Sequence, residues 1–209
     1  DVNAGCPTIT FLGPDGMYCG AQTDPAICGA CLAAQPAFAG VDIVAWREAH
    51  RPLVERASFL IAPSRWAADT LARFYPSARV RVVPHGIPEA TPRHAGTRTA
   101  VLLPDDGVPT VAVLGAVGPD KGARRIERLV ELARERGSSV RFVLIGYLDR
   151  QHAAWQSDDA RFTVHGRYDP RDLPWLLDHY RAQLVVFPSL GPETFAFTLS
   201  EAWSAGRAV

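Results

Sequence analysis

Short apolar runs alternate with amphipathic segments along the second half of the sequence, and this alternation restricts the fold more than any other feature. The runs are rich in Val, Ile and Leu and lie at residues 110–117, 140–145, 162–164 and 184–187. The segments between them have helical period; the first carries the apolar residues Ile126, Leu129, Val130 and Ala133. Nearly continuous apolar strands that alternate with helices predict a parallel sheet covered on both faces. We therefore predict an α/β fold with a doubly wound, Rossmann-type parallel sheet.

Residues 91–109 interrupt this pattern with Pro, Gly and charged residues, which is typical of a linker. The linker divides the chain into residues 1–90, predicted to be a partial N-terminal domain, and residues 110–209, predicted to be a truncated C-terminal domain. The sequence begins abruptly at Asp1 and stops at Val209, so we expect it to be part of a longer protein.

The N-terminal part has weaker signals. Apolar runs predict short strands at 8–12, 58–62 and 80–83. Ser64 is a typical helix N-cap, and Pro76 ends the helix that follows near Phe74. Between the first strand and residue 40, Gly, Pro and Ala predict an irregular segment.

All four cysteines lie within the first 31 residues, at Cys6, Cys19, Cys28 and Cys31. Cys28 and Cys31 have the C-x-x-C spacing that lets two thiolates reach one tetrahedral metal ion. Cys6 and Cys19 would complete a four-sulfur structural zinc site, although their own spacing is not that of a zinc ribbon. The alternative is a group of packed or partly redox-active thiols.

The charge balance excludes one class of partner. Lys and Arg total 22 and Asp and Glu total 22, so the formal net charge is zero. A chain that binds nucleic acid through its phosphates usually has a basic excess, so we predict no nucleic-acid partner. No apolar run reaches about 18 residues, and no basic, apolar leader opens the chain. We therefore predict no transmembrane segment and a cytoplasmic location.

Two loops lie where parallel sheets bind ligands, after the carboxyl ends of strands. In the first, Gly115 and Gly118 let the backbone approach an anion, a helix N-terminus follows, and Lys121 adds a positive charge. The alternative is an ordinary Gly-rich turn with a surface lysine. The second loop places Glu193 before a helix and Glu201 within it. Carboxylates suit vicinal sugar or ribose hydroxyls, and the alternative is two unrelated surface carboxylates.

Glu193 and Glu201 form an E-x7-E motif. Together with the Gly115–Lys121 turn and the loop at 166–168, this motif resembles those of the retaining GT-B-type glycosyltransferases (glycosyl transferases group 1). The resemblance covers nearly all of residues 80–209. The N-terminal Cys-Pro, Tyr-Cys and Cys-x-x-Cys-Leu sequences resemble a bacterial branch of that family. The resemblance implies a GT-B-like fold, with a Rossmann-type donor domain and part of a second one.

The resemblance also implies roles for individual residues. Lys121 is expected to hold the diphosphate of a nucleoside-diphosphate sugar, Glu201 the ribose hydroxyls, and Glu193 the donor sugar. The other expected donor-site residues are Gly115, Gly118, Gly166, Tyr168, Thr194 and Phe195. Transfer is expected to retain the anomeric configuration and to need no cofactor or divalent metal for the chemical step.

The acceptor side follows from the same resemblance. Asp1 and His85 are expected there, although His85 in its Pro-His-Gly loop also suits a structural role. The expected acceptor is a glycan or a lipid-linked oligosaccharide, as in polysaccharide biosynthesis. The full-length protein would then associate peripherally with the cytoplasmic face of the inner membrane.

The sequence departs from the family pattern at Ala116, where many relatives have Arg, and at Thr194 and Ala196, where many have Gly. Without that Arg, Lys121 is expected to hold the diphosphate alone or with a group not yet identified. Thr194 and Ala196 narrow the space near the donor sugar and put the choice of donor in doubt. A truncated chain is also expected to be catalytically incomplete. Two other functions stay open: a nucleotide-sugar epimerase or phosphorylase on the same fold, and a non-catalytic, zinc-stapled module that binds nucleotide sugars.

Overall fold

The computed structural model describes residues 2–86 and 100–209. The chain divides into two compact units. The described residues of the first unit come from 2–86 and 190–195, and those of the second from 100–189 and 196–209. Most of the predicted linker, residues 91–99, lies outside the described residues, and the predicted domain boundaries stay a prediction.

The first unit contains three α-helices and a small parallel sheet among its described residues. Its elements are a 3-10 turn (Val2–Ala4), α1 (Pro25–Ala33), α2 (Ile43–Arg56), β1 (Leu60–Ala62), α3 (Arg65–Phe74) and β2 (Val80–Val82). Each α-helix begins at a side-chain cap, provided by Asp24, Asp42 and Ser64. The predicted helix from Ser64 to Phe74 is confirmed.

Aromatic rings form the core of the first unit. Phe11 stacks on Phe74 with ring centroids 5.9 Å apart, and Gly5 leaves the room that the Phe74 ring occupies. The hydroxyl of fully buried Tyr75 donates to the backbone oxygens of Ala4 (2.8 Å) and Arg47 (3.0 Å). These bonds join the start of the chain to α2 and α3.

Two predictions for the N-terminal segment are wrong. Residues 8–12 form turns and a single bridge rather than a strand, because Ile9 (φ 61°) and Phe11 (φ 55°) have left-handed backbone conformations that an extended strand excludes. The segment that we predicted to be irregular contains α1, which begins with Pro25 at its first turn. The Gly- and Ala-rich composition of α1 carries no clear apolar stripe, so its sequence does not show the helix.

The second unit is an α/β fold built on a five-stranded sheet. Its elements are β3 (Thr110–Val117), α4 (Ala123–Glu135), β4 (Arg141–Leu148), β5 (Trp155–Gln156), β6 (Phe162–Val164), a 3-10 turn (Pro170–Asp172), α5 (Leu173–His179), β7 (Ala182–Val185) and α6 (Phe197–Ser204). The strand order is β5-β6-β4-β3-β7. β3, β4, β6 and β7 are parallel, whereas β5 pairs with β6 in the antiparallel direction. The predicted α/β class is confirmed, and the prediction of a purely parallel sheet is wrong at this edge.

Helices cover both faces of this sheet, as the apolar strands predicted. Ile126 and Val130 of α4 pack with Val113 and Leu144 on one face. On the other face, residues of α5 and α6, such as Leu177, belong to a second buried cluster. Strand residues alternate between the two clusters, so both faces of the sheet are buried.

Candidate functional site

Glycines with left-handed backbone angles lie near the carboxyl ends of the strands in the second unit; this end of the sheet is called its carboxyl edge below. They are Gly115 on β3 (φ 94°), Gly146 on β4 (φ 141°) and Gly166 after β6 (φ 90°). Gly115 and Gly146 are register partners, and a Cβ on Gly146 would lie 1.9 Å from the backbone oxygen of Gly115. The two strands therefore approach each other here as only glycine allows. Of the three glycines only Gly115 is partly exposed, so the backbone is accessible there at the end of β3, whereas Gly146 and Gly166 are buried.

The turn between β3 and α4, with the start of α4, packs against the segment that follows β7 and is hydrogen-bonded to it. A Cβ on Gly122 (φ 83°) would lie 2.2 Å from the backbone oxygen of Pro188. Arg125 donates through Nη1 to the backbone oxygens of Pro188 (3.3 Å) and Ser189 (3.0 Å). Gly122 is also the N-cap of α4 and offers no side-chain cap. The first turn of α4 is thus held at the sheet edge by the backbone that follows β7.

The charges at this turn are mixed. Lys121, which is the only lysine in the sequence, is exposed and makes no ion pair with any residue in 2–86 or 100–209. The carboxylates of Asp120 and Asp149 flank Gly118, whose Cβ would lie 3.1 Å and 3.9 Å from their respective oxygens. An anion bound beside Lys121 would therefore meet its positive charge with the two negative charges of Asp120 and Asp149 nearby.

Helix α6 brings Glu201 to the same edge. The methyl group of Thr198 lies 3.3 Å from the position that a Cβ on Gly115 would take. Glu201 follows three residues later, so it lies on the same face of the helix. Its half-buried carboxylate has no hydrogen bond or ion pair with any described residue, and burial raises its pKa above the ordinary value. A partly desolvated carboxylate without a partner is a frequent feature of ligand sites.

Tyr168 is a neighbour of Glu201. Its ring packs against the cluster that contains Ala202, and burial raises the pKa of its hydroxyl, to which the charge of Glu201 adds. Gly115, Tyr168 and Glu201 are therefore brought together at one edge of the second unit.

An aromatic group that the sequence did not indicate lies at the end of β4. The guanidinium of Arg167 lies 4.6 Å from the centre of the Tyr147 ring, and the Tyr147 and His152 rings are 4.5 Å apart. Gly166 makes room for this group, since its Cβ would lie 3.3 Å from the backbone oxygen of His152. The signal available in the sequence was Gly146, because a glycine inside an apolar strand often marks a close backbone approach.

Glu193, Thr194 and Phe195 belong to the first unit, not to the unit that contains Glu201. The Phe195 ring meets the His85 ring edge to face with centroids 5.0 Å apart. Thr194 lines a cleft of about 160 Å³ whose other walls are apolar. The structure therefore groups His85 with Phe195, whereas the joint action of Glu193 and Glu201 in one site stays a prediction. Asp1 lies outside the described residues.

The cysteines occupy the neighbourhood of α1 as free thiols: Cys28 is buried, Cys6 and Cys31 are half-buried, and Cys19 is exposed. Burial raises the pKa of the Cys28 thiol, Arg47 opposes this, and Cys6 and Cys19 raise it further. Within residues 2–86 and 100–209, no three His, Cys, Asp or Glu side chains are arranged to hold a metal ion. The zinc site stays a prediction, and no pattern in the sequence indicated that Arg47 lies beside Cys28.

A larger cleft, of about 240 Å³, opens at the opposite end of the sheet in the second unit. There Arg141 pairs with Asp106 and Arg181 pairs with Asp105. Both arginines of this cleft are therefore paired with carboxylates. The cleft lies at the amino ends of β3 and β4, where parallel sheets do not usually bind ligands.

None of the helices formed by the described residues is both long and apolar enough to cross a membrane. Comparison with protein-family models and with curated proteins finds no match to the chain.

Proposed function

We propose that the chain is the donor-binding part, together with a piece of the acceptor part, of a retaining GT-B-type glycosyltransferase. In this proposal it moves a sugar from a nucleoside-diphosphate sugar to a glycan or a lipid-linked oligosaccharide at the cytoplasmic face of a membrane. The observation that carries the proposal is the half-buried carboxylate of Glu201, which lacks a partner among the described residues and lies on the helix face that meets Gly115.

The nucleotide would lie along the carboxyl edge of the sheet in the second unit. Glu201 would accept hydrogen bonds from the two vicinal ribose hydroxyls, which a carboxylate accepts more strongly than a neutral oxygen does. Gly115, which is half-buried and carries no side chain, would leave the backbone at the end of β3 open to the nucleotide. Tyr168, packed beside Glu201, would fix the position of that carboxylate.

The leaving group of the reaction would be the nucleoside diphosphate, whose negative charge grows as the sugar departs. Lys121 would stabilise that charge together with the dipole of α4. The negative charges of Asp120 and Asp149 repel the diphosphate, so we expect its affinity to be modest. That affinity should depend strongly on Lys121. Glu193 would orient the donor sugar, and His85 would act on the acceptor side.

Calorimetric titration of the full chain with UDP, GDP, ADP and their 2′- and 3′-deoxy forms tests the role of Glu201. Glu201→Gln should weaken binding of the preferred ribonucleotide by about 10- to 100-fold, because a hydrogen bond to a charged group contributes about 1.5–3 kcal/mol. The 2′- and 3′-deoxy nucleotides each keep one of the two hydroxyls, so the substitution should weaken their binding by a smaller factor than that of the ribonucleotide. Glu131→Gln, on the exposed face of α4, is the matched control and should change nothing.

The uniqueness of Lys121 allows a second test. An amine-reactive acylating reagent should modify Lys121 and the α-amino group only, and mass spectrometry separates the two products. The preferred nucleoside diphosphate should slow acylation of Lys121 and leave the α-amino group unaffected. Equal rates with and without nucleotide would contradict the assignment of Lys121 to the diphosphate.

Turnover assays distinguish the transferase from the alternatives. Consumption of the nucleotide sugar only when a glycan or lipid-linked acceptor is added supports the transferase. Consumption with phosphate alone, or interconversion of the sugar without any acceptor, favours the phosphorylase or the epimerase. If zinc is present and none of the nucleotides bind, the non-catalytic module is favoured.

A further inference from the structure

Val101 is held at both of its backbone polar groups by residues at the end of α5. Its N–H donates to the hydroxyl of Tyr180 (3.2 Å), and its carbonyl oxygen accepts from Nε2 of His179 (3.1 Å). Ala100 and Leu103, on either side of it, pack against the buried cluster that contains Tyr180. These contacts attach the chain to the second unit before β3 begins.

The hydroxyl of Tyr180 has a second partner, His165. Nδ1 of His165, the residue that follows β6, lies 2.9 Å from the Tyr180 oxygen. Tyr180 is fully buried, so its hydrogen needs an acceptor inside the protein. The N–H of Val101 is a donor, and the acceptor among the described residues is therefore Nδ1 of His165. His165 is accordingly neutral and carries its hydrogen on Nε2.

Protonation of His165 would break this arrangement. An imidazolium has two N–H donors and no acceptor, so Nδ1 would face the hydroxyl of Tyr180 as a second donor. The Tyr180 hydrogen would then turn to a direction without an acceptor among the described residues, or displace the N–H of Val101. In either case a buried polar hydrogen loses its partner. His179 keeps its own bond to Val101, because its Nε2 donates whether that ring is neutral or protonated.

The surroundings of His165 oppose its protonation. The titratable side chains that face it among the described residues are Tyr168, Asp172, His179 and Tyr180. Burial lowers the pKa of His165, His179 lowers it further, and Asp172 opposes both. The neutral ring therefore contributes stability at pH values above the ordinary pKa of about 6.5, and this contribution is lost as the pH falls through the folded-state value.

We propose that His165 is an acid-sensitive switch that controls the attachment of residues 100–103 to the second unit. When His165 is neutral, it accepts the O–H of Tyr180, and that hydroxyl holds the N–H of Val101. When His165 is protonated, the hold on this N–H is lost, and the bond from His179 remains. His165, Tyr180 and Val101 lie in the second unit and outside the proposed donor site, so the switch does not depend on the proposed function.

Hydrogen exchange of the Val101 amide, measured by NMR on the full chain, tests the switch. The protection factor, which corrects for the intrinsic pH dependence of exchange, should fall by about 5- to 50-fold between about pH 7.5 and about pH 5, in step with the titration of the His165 ring. Val143, within β4, is the internal reference and should keep its protection. Proton–nitrogen correlation spectra of the ring should show Nδ1 of His165 without a hydrogen at about pH 7.5.

Two substitutions separate the switch from general effects of acid. His165→Asn places an amide oxygen close to the position of Nδ1 and does not titrate, so Val101 should stay protected at both pH values. Tyr180→Phe removes the hydroxyl, so Val101 should lose protection at both. His50→Asn, on α2 of the first unit, is the matched control and should keep the native response to acid. Circular dichroism at each pH confirms that the variants fold.

The proposal is overturned if Val101 keeps its protection while His165 titrates, or if His165→Asn is as sensitive to acid as the native chain. A hydrogen on Nδ1 of His165 at about pH 7.5 also overturns it, because that ring could not accept from Tyr180. The same holds if His165 stays neutral until the whole chain unfolds, since the switch would then never operate in the folded protein.

Discussion

Gly146→Ala is expected to destabilise the chain far more than a glycine-to-alanine change at an exposed turn. The new Cβ would lie 1.9 Å from the oxygen, 2.6 Å from the carbon and 2.9 Å from the nitrogen of Gly115. These are backbone atoms of the neighbouring strand, paired along the whole of β3 and β4, so they cannot swing aside as a side-chain tip would.

The expected cost has two parts. A left-handed backbone angle (φ 141° at Gly146) costs a residue with a Cβ about 1–3 kcal/mol. Forcing a methyl group into a packed site costs about 1–3 kcal/mol more. The sum, about 2–6 kcal/mol, is a large part of the roughly 5–15 kcal/mol by which a typical domain is stable.

Gly137→Ala is the matched control. Gly137 also has a left-handed angle (φ 62°), but a Cβ there would meet nothing within 4 Å. Gly137→Ala should therefore lower the free energy of unfolding by only about 1–2 kcal/mol, the cost of the left-handed conformation alone. Urea unfolding followed by circular dichroism gives both values from the midpoints, provided that the slope m is unchanged. A Gly146→Ala variant no less stable than Gly137→Ala would refute the close approach of β3 and β4.

Three further changes follow from the contacts of single side chains. Burial raises the pKa of Glu201, so its favourable contribution to stability is present below about pH 4.5 and lost as the pH rises through the folded-state value. Glu201→Gln should therefore be more stable than the native chain at about pH 7.5 in urea unfolding, with the difference vanishing near pH 4; no gain at the higher pH would contradict the burial. The Arg134 guanidinium lowers the pKa of Asp159, so Asp159→Asn should lose about 0.2–1 kcal/mol at about pH 7 in urea unfolding and nothing once the pH falls below the folded-state value. Tyr75→Phe should lose about 1–3 kcal/mol because the backbone oxygens of Ala4 and Arg47 lose the buried O–H that they share, whereas Tyr18→Phe, at a half-exposed side chain, should stay near the native value.

The sequence predicted the second unit well where local signals and burial agree. β3 (Thr110–Val117) and β6 (Phe162–Val164) have the predicted bounds, and α4 carries the predicted apolar positions Ile126 and Val130 on its buried face. Leu129, predicted to be on that face, is 41% exposed. The apolar period therefore located the helix, and packing decided which residues it buries.

Bounds that depend on a neighbouring strand were not predicted. β4 continues to Leu148, beyond the predicted end at Ile145, because Gly146, Tyr147 and Leu148 pair with the last residues of β3. β5 is short and has no alternation of its own, so its antiparallel pairing with β6 had no signal. Each of these features depends on hydrogen bonds between residues far apart in the sequence.

The candidate site shows the same division. The sequence indicated Lys121, Glu201 and Gly115 as candidates because a lysine, a glutamate and a glycine lie at or after the predicted carboxyl ends of strands. It did not indicate that Glu201 is half-buried and beside Tyr168, since that depends on how α6 packs.

The sequence by itself determined the α/β class of the second unit and the cap of the helix that begins after Ser64, and it predicted the residues that we propose bind a nucleotide. These follow from periodicity and from residue chemistry, which act over a few positions along the chain. Only the tertiary structure decided that Gly146 lies against Gly115, and that Arg47 is buried beside Cys28 with no carboxylate of the described residues to pair with it. Those arrangements come from contacts between distant segments, whose geometry no local pattern of residues encodes.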